Sequence, residues 1–196
     1  MREPLSERRV RYRAVMEDPI VVVRYDPAWP NEFRHIGGRL RAILGPVARR
    51  IDHVGSTAVP GLDAKPVIDV QVSVATLVPE APYLEPLEAK GYRWHRDNPD
   101  RTKRFFREPE GDPRTHVHVR VEGGFDEQLN LLLRDYLRNH LESAAEYARA
   151  KRSLAEKFRN DREGYVRAKE PSVWELIRRA HDWAQETGWG PGPSDA

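Results

Sequence analysis

Residues 51–74, IDHVGSTAVPGLDAKPVIDVQVSV, set two apolar runs on either side of a connection made of a Gly-Ser-Thr triplet, two prolines and a lysine. The runs, 50–54 and 67–74, read as strands because their β-branched residues are bounded by Gly and Pro. Side chains alternate between the faces of a strand. In 67–74, Ile68, Val70, Val72 and Val74 share one face, and Asp69, Gln71 and Ser73 the other. Residues 115–121 repeat the split, with Val117, Val119 and Val121 opposite His116, His118 and Arg120. In 50–54 it is less clean, because Ile51 lies on the side of His53, opposite Asp52 and Val54. As neighbours in one sheet, these strands bring Asp69, Gln71, His116 and His118 to one surface, with His53 a further candidate. The polar side of a half-exposed sheet would also satisfy such a pattern. Solvent faces favour Lys, Glu and Thr, however, so two histidines, an aspartate and a glutamine point to a site.

Outward from these strands, KRFFRE (103–108) pairs with 115–121, and IVVVRY (20–25) reads as another strand. Asp26-Pro27 opens an amphipathic helix over 27–44, with Phe33, Ile36, Leu40 and Ile43 on one face and Gly45-Pro46 at its end. Gly37 and Gly38 inside it each cost about 1 kcal/mol. A short helix over 83–92 closes at Gly91. From Phe125 the pattern is helical, with stripes of Leu129, Leu132, Leu133 and Tyr136, then Leu141, Ala144, Ala148, Ala155 and Phe158. A capping box, Ser172 to Glu175, starts the last helix, whose buried face is Val173, Leu176, Ile177, Ala180 and Ala184. Residues 1–18 read as a mobile arm, 19–187 as a single domain and 188–196 as a tail disordered by composition. Strands first and helices last give an α+β fold: a small mixed or antiparallel sheet backed by helices, with a helical C-terminal third.

Composition narrows the function classes. Without cysteine the chain has no disulfide or thiolate metal site, which suits a reducing, cytoplasmic setting. No run approaches the roughly 20 apolar residues of a membrane helix, and the start has no apolar signal core. A net charge of +2, with basic residues interleaved by acids, argues against nucleic acid as partner. Oligomeric state is not encoded in any of these patterns.

The 51–74 connection suits a phosphate. Gly55, Ser56 and Thr57 offer backbone N–H groups and hydroxyls, and Lys65 supplies charge four residues before Asp69. The alternative is a tight connection in which Gly55 and Gly61 serve turns while Pro60 and Pro66 stiffen the loop. His53, His116 and His118 with Asp69 form an alternative transition-metal set, or supply acid-base chemistry. Arg104 and Lys169 are candidates to clamp an anion. Asp135 is a candidate partner for Arg134 or Arg138, the alternative being an N-terminal helix charge with no chemical role. Arg149, Lys151 and Arg152 read as a solvated helix face.

The stretches VVRYDPAWPNEF, IDHVGSTAVPGLDAKPVIDVQV, HVHV, RDYLRNH with EYARAKRSLA, and YVRAKEPSVWE together resemble the GrpB family over about residues 20–183. Members resemble the nucleotidyltransferase fold of the polymerase β superfamily and also occur fused to dephospho-CoA kinases. The resemblance implies a sheet of nucleotidyltransferase type, Gly55-Ser56 as nucleotide-phosphate motif, and Asp69 as first Mg²⁺ ligand. Active members of that superfamily carry a second acid two residues on and a third on a later strand. Here Gln71 stands at the second place and His116 and His118 on the later strand. The expectation is a protein that binds a nucleotide or CoA-like ligand through Gly55, Ser56, Thr57, Lys65, Gln71, Arg104 and Lys169. A nucleotidyl or related transfer would then use Asp69, His116 and His118. Its rivals are a non-catalytic binding module and a histidine-based enzyme on the same scaffold.

Overall fold

The valine and isoleucine faces of the central strands meet one helix, and that contact builds the sheet. The computed structural model describes residues 19–196, so the arm expected over 1–18 lies outside the described residues. The sheet has five strands: β1 (Arg50–Val54), β2 (Ile68–Val74), β3 (Arg93–Trp94), β4 (Lys103–Arg107) and β5 (Thr115–Val121). Their order is β1-β2-β5-β4-β3; β2 and β5 are parallel and the other pairs antiparallel. The fold is α+β, with a mixed sheet and a helical C-terminal third.

On the apolar face, α1 (Trp29–Leu44) lays Trp29, Phe33, Ile36, Leu40 and Leu44 against Ile51, Ile68, Val70, Val72, Val117 and Val119. The short α2 (Ala81–Ala89) closes that layer with Tyr83 and Leu87. A second cluster joins α3 (Phe125–Asn139), α4 (Leu141–Lys157) and α5 (Arg162–Thr187), and takes in Val59 and Leu62 from the β1–β2 connection. The β1–β2 connection is thus anchored by its apolar residues to the helical third of the chain.

Three expectations are corrected. Residues 20–25 make no strand; one bridge, Val23 to Ala64, crosses the β1–β2 connection, and Ile20 is buried with Ala155 and Tyr165. The last helix does not start at Ser172. Asp161 caps α5, its side chain accepting from the Gly164 N–H at 2.8 Å, and the helix runs through Pro171. The tail is ordered along the free edge of β1. Ile51 N–H donates to Ser194 Oγ at 2.8 Å, His53 N–H to Asp195 Oδ2 at 2.9 Å, and Ala196 N–H to the Ile51 carbonyl at 3.1 Å.

Candidate functional site

The parallel register of β2 and β5 sets Asp69 beside His116 and Gln71 beside His118. Asp69 Oδ1 accepts from His116 Nδ1 at 3.0 Å and from His118 Nε2 at 3.3 Å. Phe105 of β4, opposite His118, holds both imidazoles, with ring centroids 5.2 Å from His116 and 5.3 Å from His118. Burial opposes charge on Asp69, but the hydrogen bonds and charges of the two histidines outweigh it and hold the carboxyl far below the usual range. Burial likewise lowers the pKa of His118 against the pull of Asp69.

Gly55 closes the other side. Its φ of +71° favours glycine, and a Cβ there would stand 2.6 Å from Asp69 Oδ2. The next residue, Ser56, begins a single 3₁₀ turn to Ala58. Its Oγ accepts from Lys151 Nζ of α4 at 2.9 Å, and the same ammonium donates to the Asp63 carbonyl at 2.6 Å.

Lys65 and Lys169 both approach the ring of Tyr165, at 5.4 and 5.9 Å, while Lys151 lies 4.7 Å from the Tyr147 ring. Burial pushes Lys151 down to about 7, helped by the charges of Lys169 and Arg152 against Asp63 and Asp69. Lys65 falls to about 8 through burial and the charges of Arg162 and Lys169, again against Asp69. Burial also lowers Lys169, and Asp69 opposes that shift. Each of the three lysines therefore senses the Asp69 carboxylate. Among the described residues, no carboxylate lies within salt-bridge distance of any of them. The basin holds more positive than negative charge, and an anion would relieve that excess.

Other sequence candidates go elsewhere. His53 sits on the opposite face, stacked on Phe33 with centroids 4.7 Å apart, and its Nε2 meets Thr57 Oγ1 at 3.0 Å. Register explains this: His53 pairs with Val70, not with Asp69. Thr57 is buried and donates to the Val67 carbonyl at 3.2 Å, so its hydroxyl braces the loop. Gln71 is buried under α3, donating to the Glu127 carbonyl at 3.1 Å and accepting from Asn130 Nδ2 at 2.9 Å. Arg104 pairs with Val119 on the apolar side and forks onto Glu80 at 3.1 and 3.2 Å. Arg134 is buried, with Asp135 and Asp195 as its close carboxylate partners at 2.7 and 2.8 Å. Arg138 donates to the Ala58 carbonyl at 2.9 Å, bracing the loop from behind.

Lys151 is the residue that charge counting misplaced. It follows Ala144, Tyr147 and Ala148 at intervals of three and four, which puts it on the buried stripe of α4. That spacing was the available signal.

The chain matches the GrpB protein family over residues 19–179. It belongs to the GrpB family. UPF0157 protein PA4798 of Pseudomonas aeruginosa is 40% identical over 173 residues, covering 87% of this chain and 71% of that protein. A dephospho-CoA kinase of Mycolicibacterium paratuberculosis is 37% identical over 204 residues, covering 91% of this chain and 50% of the kinase. The GrpB chain thus spans about half the length of that relative. The crystal structure of GrpB from Enterococcus faecalis superposes with a TM-score of 0.76 at 27% identity, covering 84% of this chain and 99% of that one. No helix among the described residues is long and apolar enough to cross a membrane.

Proposed function

We propose that this GrpB protein binds a phosphate-bearing small molecule, a nucleotide or CoA-like compound, in the basin of Ser56, Lys65, Lys151, Lys169 and Asp69. There it transfers a nucleotidyl or related group. The carrying observation is that three desolvated lysines all feel the Asp69 carboxylate, and one of them, Lys151, donates to Ser56 Oγ at 2.9 Å. A polyanion supplies the missing negative charge, the lysines offset charge that develops on a phosphoryl leaving group, and the turn brings N–H groups close. The half-length match to a dephospho-CoA kinase supports a CoA-like ligand.

A second reading, a binding module without turnover, is favoured by Gln71. The side chain at the second metal-ligand place is neutral and is held by α3.

The test is thermal unfolding of the full chain with ATP, CTP, GTP, UTP and CoA, each with and without Mg²⁺. Saturation at 100 times Kd stabilises by about 2.7 kcal/mol, a shift of several degrees. Lys151→Met should weaken the responding ligand about ten- to hundredfold, the worth of a charge-assisted hydrogen bond of about 1.5–3 kcal/mol. No shift with any of the five overturns the reading. Binding without release of pyrophosphate or another product selects the module.

A further inference from the structure

We propose that Asp69, His116 and His118 hold one divalent transition cation of the Zn²⁺ or Co²⁺ class, in place of the pair of Mg²⁺ ions expected of a nucleotidyltransferase. The inference deepens the phosphate reading, because such a cation would stand in the same basin. Its own evidence is the donor set.

Paired Mg²⁺ does not fit these residues. Mg²⁺ takes hard oxygen ligands in octahedral arrays, and a pair needs several carboxylates. On β2, Asp69 is the lone acid, and the Gln71 carbonyl oxygen already accepts from Asn130 at 2.9 Å. On β5 the facing donors are imidazole nitrogens. Two imidazoles and one carboxylate are the ligands of borderline cations.

The geometry fits one such ion. A ligand atom from each of the three residues lies within 4.8 Å of the others. The separations are 3.0 Å from Asp69 Oδ1 to His116 Nδ1 and 3.3 Å to His118 Nε2. Ligands at roughly 2.1 Å from a tetrahedral or octahedral metal stand about 3.0–3.4 Å apart, the spacing that Asp69 keeps from each histidine. The donors sit on adjacent hydrogen-bonded strands, and Phe105 packs on both rings, which presets the chelate. The three side chains are 29%, 21% and 18% exposed, which leaves further coordination positions open. A phosphate oxygen held by the lysines is the natural occupant of one. Buried His118 Nδ1 has no hydrogen-bond partner, so the outer support of that ligand is missing. Such support is worth 10- to 100-fold in affinity, so the site binds more weakly than a structural zinc centre.

The experiment titrates the tag-free, metal-depleted full chain with Co²⁺ alone and follows its visible ligand-field absorption. One saturable Co²⁺ per chain is expected. Zn²⁺ should displace it, and a hundredfold excess of Mg²⁺ should not. Asp69→Asn and His118→Ala should each abolish the band, whereas His181→Ala, on the exposed face of α5, should keep it. Circular dichroism checks that the variants fold, and Asp69→Asn preserves shape where His118→Ala does not. Absence of a saturable band, displacement by Mg²⁺, or a band that survives in folded Asp69→Asn overturns the proposal. Calorimetry with pyrophosphate on the metal-free protein tests the phosphate reading separately. Co²⁺ binding without pyrophosphate binding leaves the cation site standing and removes the phosphate; the reverse result removes the cation site.

Discussion

Gly55 shows how tightly the loop is set against the carboxylate. Its φ of +71° costs an L-residue about 1–2 kcal/mol, and a Cβ would also press on Asp69 Cβ at 3.1 Å. Asp69 cannot swing aside without losing both histidine contacts. Gly55→Ala should therefore lose about 2–3 kcal/mol in urea denaturation and weaken any anion bound at Ser56. Gly38 is the control: it lies within a helix with nothing within 4 Å, so Gly38→Ala should stabilise by up to about 1 kcal/mol. Equal losses in the two variants would contradict this account. Sequence treated Gly37 and Gly38 alike as helix defects. The structure separates them, because a Cβ on Gly37 would meet Ala196 at 2.9 Å. At this scale Asp69, His116 and His118 were legible because strands alternate strictly. His53 and Arg104 were misplaced because pairing register, which no single strand reveals, sends them to the other face.

The elements most legible in the sequence were those with regular patterns, β2, β5 and α1, and all three lie close to their expected bounds. Local signals failed where tertiary contacts overrode them. The 20–25 run has strand propensity but pairs at one residue only. The Ser172 box lies inside a helix already nucleated at Asp161. The tail, rich in Gly and Pro, is ordered by the unpaired edge of β1 and by Arg41, Arg50 and Arg134, which donate to Ala196 O, Gly192 O and Asp195 Oδ2 at 2.9, 2.8 and 2.8 Å. Those bonds, at about 1 kcal/mol each, offset an ordering cost of about 1–2 kcal/mol per residue, so the net stabilisation is small. The tail's main effect is to cover an edge strand. Removing 191–196 should therefore shift the melting temperature by no more than a few degrees. It should speed amide exchange at Ile51 and His53 at least tenfold, and raise self-association at high concentration. Unchanged protection at those two amides would show that the tail does not occupy the edge in solution.

Over the whole molecule, the lysine basin makes folding and ligand binding respond to pH in opposite directions. In the unfolded chain lysine titrates near 10.5, whereas folded Lys151 and Lys65 titrate at about 7 and 8. Between these values the unfolded state binds more protons, so stability of the ligand-free protein rises with pH from about 7 upward. The limiting slope is about 1.4 kcal/mol per pH unit for each lysine. His53 acts with the same sign at lower pH: burial pushes it from 6.5 to about 4, so its contribution is lost as pH falls through that interval. An anionic ligand reverses the trend, because it binds the protonated lysines and draws their pKa values upward. Its affinity should be greatest near pH 6 and fall as Lys151 and then Lys65 lose their protons. Melting curves from pH 6 to 9, with and without the ligand, give both slopes in one experiment. The ligand-free melting temperature should climb while the ligand-induced shift shrinks, and proton uptake should accompany binding near pH 8. Lys151→Met should flatten the lower part of both profiles. A ligand shift that held constant from pH 6 to 9 would mean that the phosphate is held by arginines or backbone, not by these lysines.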